Sequence, residues 1–106
     1  MNAVLRKILC VLIFLLFSGQ AFSDQTTGDY RTITDIYLNK SWVNFYLTET
    51  CPLTKPYYQL NPDLVDVDRF YATLLAAFHT GTKVKITWDD TASTVSCQVT
   101  MIKEQN

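Results

Sequence analysis

The chain is poor in the residues that most enzyme chemistry needs. It has one histidine, His79, and three cysteines. A single imidazole excludes the histidine-bearing metal clusters. A Ser-His-Asp relay would have to run through His79 with Ser41, Ser93 or Ser96, and none of these serines sits in a Gly-x-Ser-x-Gly elbow. Asp63, Asp66 and Asp68 lack the ordered glycine and terminal glutamate of a calcium loop, so helix capping accounts for them better. Positive charge is scarce too: nine Lys and Arg stand against ten Asp and Glu. Without a clustered positive field, binding to nucleic acid or anionic lipid is not expected. There is no internal repeat, low-complexity tract or linker. The one long apolar run, Ile8 to Phe17, falls short of the roughly 20 residues that span a bilayer.

That run belongs to a secretory leader. Arg6 and Lys7 precede it, and Ser18-Gly19-Gln20-Ala21-Phe22-Ser23 follows with small residues Ala21 and Ser23 flanking Phe22. Residues 1–23 are therefore read as a signal peptide and 24–106 as a single secreted or periplasmic domain with no membrane span. Arg6 and Lys7 leave with the leader, so residues 24–106 carry seven basic groups against ten acidic ones. Cys10 leaves as well; it lies inside the apolar run, away from a lipid-attachment position. Cys51 and Cys97 remain, and in an exported domain such a pair reads as a disulfide. A bond closing so long a loop contributes roughly 4 kcal/mol in the chain-entropy picture.

Along the chain, Asp24 to Asp29 is polar and reads as a frayed terminus. Tyr30 to Leu38 reads as a strand with Ile36 and Leu38 on one face. After the short turn Asn39-Lys40-Ser41, Trp42 to Thr48 alternates cleanly: Val43, Phe45 and Leu47 on one face, Trp42, Asn44 and Tyr46 on the other. The turn also matches a glycosylation acceptor, but hairpin preference alone accounts for it. Glu49 to Pro56, with two prolines, is a loop, and Tyr57 to Leu60 a short strand. Val67, Phe70, Tyr71, Leu74, Leu75 and Phe78 then recur at helical spacing, with Asp66 as N-cap and Gly81 ending the helix. His79 reads as a solvated residue at that helix end, and Ala72 and Ala76 as ordinary helix surface. A second hairpin follows: Val84, Ile86 and Trp88 face inward, Asp89 to Thr94 turns, and Val95, Cys97, Val99 and Met101 face inward again.

The order strand, strand, strand, helix, strand, strand predicts an α+β domain of OB type, a five-stranded barrel with one helix between strands three and four and one disulfide. A plain sheet with one helix across it uses the same elements. The segment from Phe70 to Ile86, with its Leu74-Leu75-x-Ala77 helix, Gly81 turn and Lys83-Val84-Lys85-Ile86 strand followed further on by Cys97, resembles a group of small secreted bacterial proteins. Its helix end, Thr80-Gly81 and Val84-x-Ile86 are also similar to the B subunits of subtilase-cytotoxin and typhoid-toxin type. The second resemblance implies an OB-fold, pentamer formation and glycan binding.

The features with functional promise are aromatic. Trp42 and Tyr46 flank Asn44 on the second face of their strand, with Tyr57 a neighbour and Tyr30 and Tyr37 close by. Rings with an amide between them suit a sugar or a protein partner. If the helix covers this face, it is core; if not, it is an interface. The chain is accordingly expected to be a non-catalytic binding module without metal or cofactor, contacting a protein or a glycan. The alternative is a structural subunit of a homo-oligomer.

Overall fold

The computed structural model describes residues 24–106. The expected leader, residues 1–23, lies outside the described residues. The elements are β1 (Asp24–Thr26), β2 (Ile33–Asn39), β3 (Trp42–Leu47), β4 (Tyr58–Leu60), α1 (Val67–Thr80), β5 (Val84–Asp89) and β6 (Cys97–Glu104). The strands form one mixed sheet in the order β1-β5-β6-β4-β3-β2. All neighbours are antiparallel except β4 and β6, which run parallel with Tyr58 opposite Cys97 and Gln59 opposite Gln98. Among the described residues, no helix is long and apolar enough to cross a membrane.

The helix forms where its periodicity places it. The Asp66 carboxylate accepts from the Arg69 amide at 3.4 Å, Asp68 sits in the first turn, and Gly81 takes the left-handed conformation at φ 70°. The stripe is centred slightly differently from the expectation. Leu74 and Ala77 are buried, whereas Phe78 is largely exposed. The helix packs against β2, β3, β4 and β6. Its buried side chains join Val43, Phe45, Leu47, Tyr58, Leu60, Ile86 and Val99 in one core.

The disulfide joins Cys51 to Cys97 across 46 residues. It ties the loop after β3 to the start of β6, and both cysteines are buried. That loop is further held by Cys51 N–H donating to the Pro56 carbonyl at 3.0 Å and Lys55 N–H to the Val95 carbonyl at 2.8 Å.

Three local expectations are corrected. Asp24 to Asp29 is not frayed: β1 pairs with β5, and Thr27 is buried. The Thr27 amide donates to the Ile86 carbonyl at 2.9 Å, and its hydroxyl accepts from the Ile86 amide at 3.2 Å. These partners satisfy backbone groups that a polar composition left unassigned. The strand expected from Tyr30 to Leu38 is also redistributed. Arg31 forms an isolated bridge to Val84, and β2 begins only at Ile33. Finally, Met101 does not face inward. The β5–β6 register slips between Thr87 and Trp88, so Thr87 opposes Met101 while Trp88 opposes Val99. The extra residue reverses the alternation. Met101 is 56% exposed, and Ile102 packs against the core instead. Val95, outside the strand, is exposed too.

Phe45 stacks on Tyr58 in the core, with ring centroids 5.6 Å apart. The fully buried Tyr58 phenol donates to the Glu49 carbonyl at 3.1 Å. Burial, then the nearby Glu49 charge, pushes its pKa up to about 12, with Arg31 opposing. An unfolded tyrosine ionises near 10, so this group's contribution to stability is complete below pH 10. It is then lost as pH rises from about 10 toward 12, on the order of 2 kcal/mol in all. Alkaline denaturation followed beside the absorbance of ionised phenol should show this loss, and Tyr58→Phe should remove that component of it. An unchanged alkaline limb in the variant would contradict the assignment.

Candidate functional site

Alternation along β3 separates two surfaces. Val43, Phe45 and Leu47 enter the core beneath the helix, and Trp42, Asn44 and Tyr46 project from the opposite side of the sheet. Register extends that outer surface sideways. Tyr37 lies opposite Asn44, Asp35 opposite Tyr46, and Gln59 opposite Asn44. Parallel pairing with β6 adds Gln98 next to Gln59.

Two groups of side chains occupy this surface. The first is a cluster of three tyrosines. Tyr37 and Tyr46 have ring centroids 6.1 Å apart, and Tyr57 meets both edge-on at 6.5 and 6.1 Å. Such edge-to-face contacts fix the rings while leaving part of each exposed. The Tyr46 phenol is held above the usual tyrosine value. Its side-chain hydrogen bond with Tyr37 is the largest cause, followed by desolvation and the neighbouring Tyr37, Tyr57 and Asp35.

The second group is a polar chain. Gln98 Nε2 donates to Gln59 Oε1 and to Ser96 Oγ, each at 2.7 Å, and Gln59 Nε2 donates to Asn44 Oδ1 at 2.9 Å. Asn44 and Gln98 are each only 3% exposed. The buried Gln98 Oε1 has no hydrogen-bond partner among the described residues. A connected network of this kind rigidifies the surface that carries it. At its margin a shallow hollow of about 350 Å³ is lined by Asn39, Lys40, Trp42 and Gln59.

The expected binding residues thus fall in different environments. Tyr46 and Tyr57 are brought into contact and remain half-buried. Trp42 is half-buried and lines the hollow. Asn44 is on the same face but buried within the network, where it positions Gln59. Tyr30 stands apart, its ring beneath the Lys85 ammonium at 5.4 Å. The sequence does not single out Gln59 or Gln98, and it offers Ser96 only as a relay serine. For Gln59 a signal existed, since alternation along β4 opposes it to the inward Tyr58 and Leu60. For Gln98 there was none, because the parallel pairing that delivers it is a long-range choice.

His79 is exposed at the helix end, beside Phe78. Among the described residues, no three His, Cys, Asp or Glu side chains are grouped to hold a metal ion. The titratable groups at the tyrosine cluster are phenols and Asp35, and Lys40 lines the hollow at the margin.

Comparison with known protein families, with curated proteins and with solved structures finds no match to this chain.

Proposed function

We propose that this protein is a secreted or periplasmic, non-catalytic binding module whose Trp42–Tyr46–Tyr57 surface contacts a protein partner or a glycan. The observation that carries this reading is the three-tyrosine cluster beside a pre-organised amide network, on the side of the sheet away from the helix. Exposed rings offer large contact area at small entropic cost, and fixed amides offer directional hydrogen bonds. The intramolecular disulfide fits an exported protein.

The domain is further proposed to be an OB-like barrel. Several observations support this. With β1 and β2 counted as one strand, the helix lies between the third and fourth strands, and β4 and β6 pair in parallel. The run from β1 to β2 bonds first to β5, through Thr27 and Arg31, and then to β3. β1 and β2 are then two halves of one bent strand, whose change of partner would bring the edges of the sheet together. In folds of this type the surface of the second and third barrel strands, here β3 and β4, is a frequent ligand side.

A second reading, a subunit of a homo-oligomer, is favoured by the edge strand β2. It holds neither proline nor lysine, and its single charge is Asp35, so it lacks most of the devices that keep edges from pairing. Light scattering of the exported protein on gel filtration, beside a glycan array and capture of co-produced proteins, tests both. The binding reading expects a glycan or protein ligand whose retention falls at least tenfold in Tyr57→Ala. A ligand retained equally by Trp42→Ala, Tyr46→Ala and Tyr57→Ala would refute it. A stable oligomer with no ligand would favour the second reading.

A further inference from the structure

A second surface lies on the other side of the hairpin tip. Between the β2–β3 turn and the start of α1 runs a groove of about 370 Å³. Leu38, Val43, Val65, Val67 and Tyr71 form its apolar walls. Leu38 is 59% exposed, although it shares a face with Ile36, which packs against the core. An aliphatic side chain so open, at the mouth of a hollow of this size, is an anchor site waiting for a cover.

The rims are charged with opposite sign. Lys40 stands on the hairpin side, and Asp66 and Asp68 on the helix side. Asp66 spends one oxygen on its cap, whereas Asp68 makes no ion pair or side-chain hydrogen bond among the described residues. Lys40 also holds the left-handed conformation, φ 59°, at a turn position where glycine is the unstrained choice.

We propose that this groove docks a short segment of a partner protein that inserts one large apolar side chain and carries a basic residue beside it. Charge complementarity sets the order. The basic residue lies toward Asp66 and Asp68, and any acidic residue lies toward Lys40. The walls are aliphatic apart from Tyr71, which suits a side chain better than a hydroxylated sugar. A second copy of this chain is a poorer occupant. Of its exposed apolar residues with a basic residue two positions on, Leu38 with Lys40 is itself the wall and rim of the groove, and Met101 with Lys103 sits in the middle of the β5–β6 pairing. A flat strand surface there cannot enter a hollow between two rims. Apart from Lys40, which lines both hollows, the groove shares no residue with the tyrosine surface on the opposite side of the sheet.

Panning random linear peptides, displayed on phage, against the exported protein tests the proposal. Enriched peptides should share a large apolar residue with Arg or Lys within two positions of it. For a synthetic peptide of that consensus, Leu38→Asp and Asp68→Lys should each weaken binding at least tenfold, and Tyr46→Ala should leave it unchanged. Leu38 and Asp68 are both exposed, so the variants should fold, which circular dichroism verifies. Failure to enrich any peptide, a consensus without a basic residue, or binding that survives Leu38→Asp would overturn the proposal. So would an oligomer of the unaltered protein that Leu38→Asp or Met101→Asp dissociates, because a second copy would then be the occupant.

Discussion

Replacing Cys51 and Cys97 together by alanine is expected to lower stability by roughly 4 kcal/mol, the chain-entropy value for a loop of this length. The bond spans 46 residues, and both cysteines are packed in the core. The loop it anchors is otherwise held by two backbone bonds, from Cys51 and Lys55, by the Tyr58 hydroxyl on the Glu49 carbonyl, by the Glu49 carboxylate paired with Arg31 and accepting from the Gly28 amide, and by Leu53 against the core. For a domain this small, total stability is on the order of 5 to 10 kcal/mol, so most of the margin is at stake. The melting temperature should fall by about 15 to 30 °C. Calorimetry of the double variant checks this, and is preferable to adding reductant because the buried bond is reached slowly. A shift of only a few degrees would show that the loop is held by its hydrogen bonds instead.

Adjacent residues of β3 should respond to truncation in opposite ways. Phe45→Ala removes a fully buried ring stacked on Tyr58 and should cost about 3 to 5 kcal/mol. Tyr46→Ala removes a half-buried ring on the other side of the sheet, where only Tyr37 and Tyr57 lose an aromatic neighbour. Its effect on stability should stay within about 1 kcal/mol. Its effect on ligand or partner affinity should be roughly 2 kcal/mol, or about 30-fold. Urea unfolding of both variants, together with binding measured on the tyrosine variant, separates the two surfaces. Equal destabilisation by the two substitutions would make the tyrosine cluster a structural cover, and the proposed function would lose its main support.

The parts of the fold that were legible are those decided by near neighbours. Asp66 and Gly81 bound the helix because a short acceptor and a left-handed glycine satisfy helix ends wherever the helix lies. The inward face of β3 followed from alternation, since the pleat places every second side chain on one side. With two cysteines in residues 24–106, only one pairing between them is possible.

The polar network was not legible for the opposite reason. Asn44, Gln59 and Gln98 come from three strands and read singly as solvent-facing residues. Asn44 and Gln98 are buried, with the half-buried Gln59 between them, because β4 and β6 pair in parallel. β1 was hidden in the same way, since the amide and hydroxyl of Thr27 find their partner in Ile86, far along the chain. The slip beside Trp88 moved Met101 out and Ile102 in, and alternation cannot reveal a residue that interrupts it.

By itself, then, the sequence determined the helix and its caps, the two faces of β3, the cysteine pairing and the aromatic residues on which recognition is proposed to rest. Each depends on local geometry or on composition. The tertiary structure alone decided which rings touch, which amides are buried, where Leu38 opens into a groove and how the N-terminal residues join the sheet. Those outcomes depend on strand register and on partners tens of residues away. Many pairings of short polar-edged strands satisfy the same local pattern, and only the energy of the whole packed sheet selects among them.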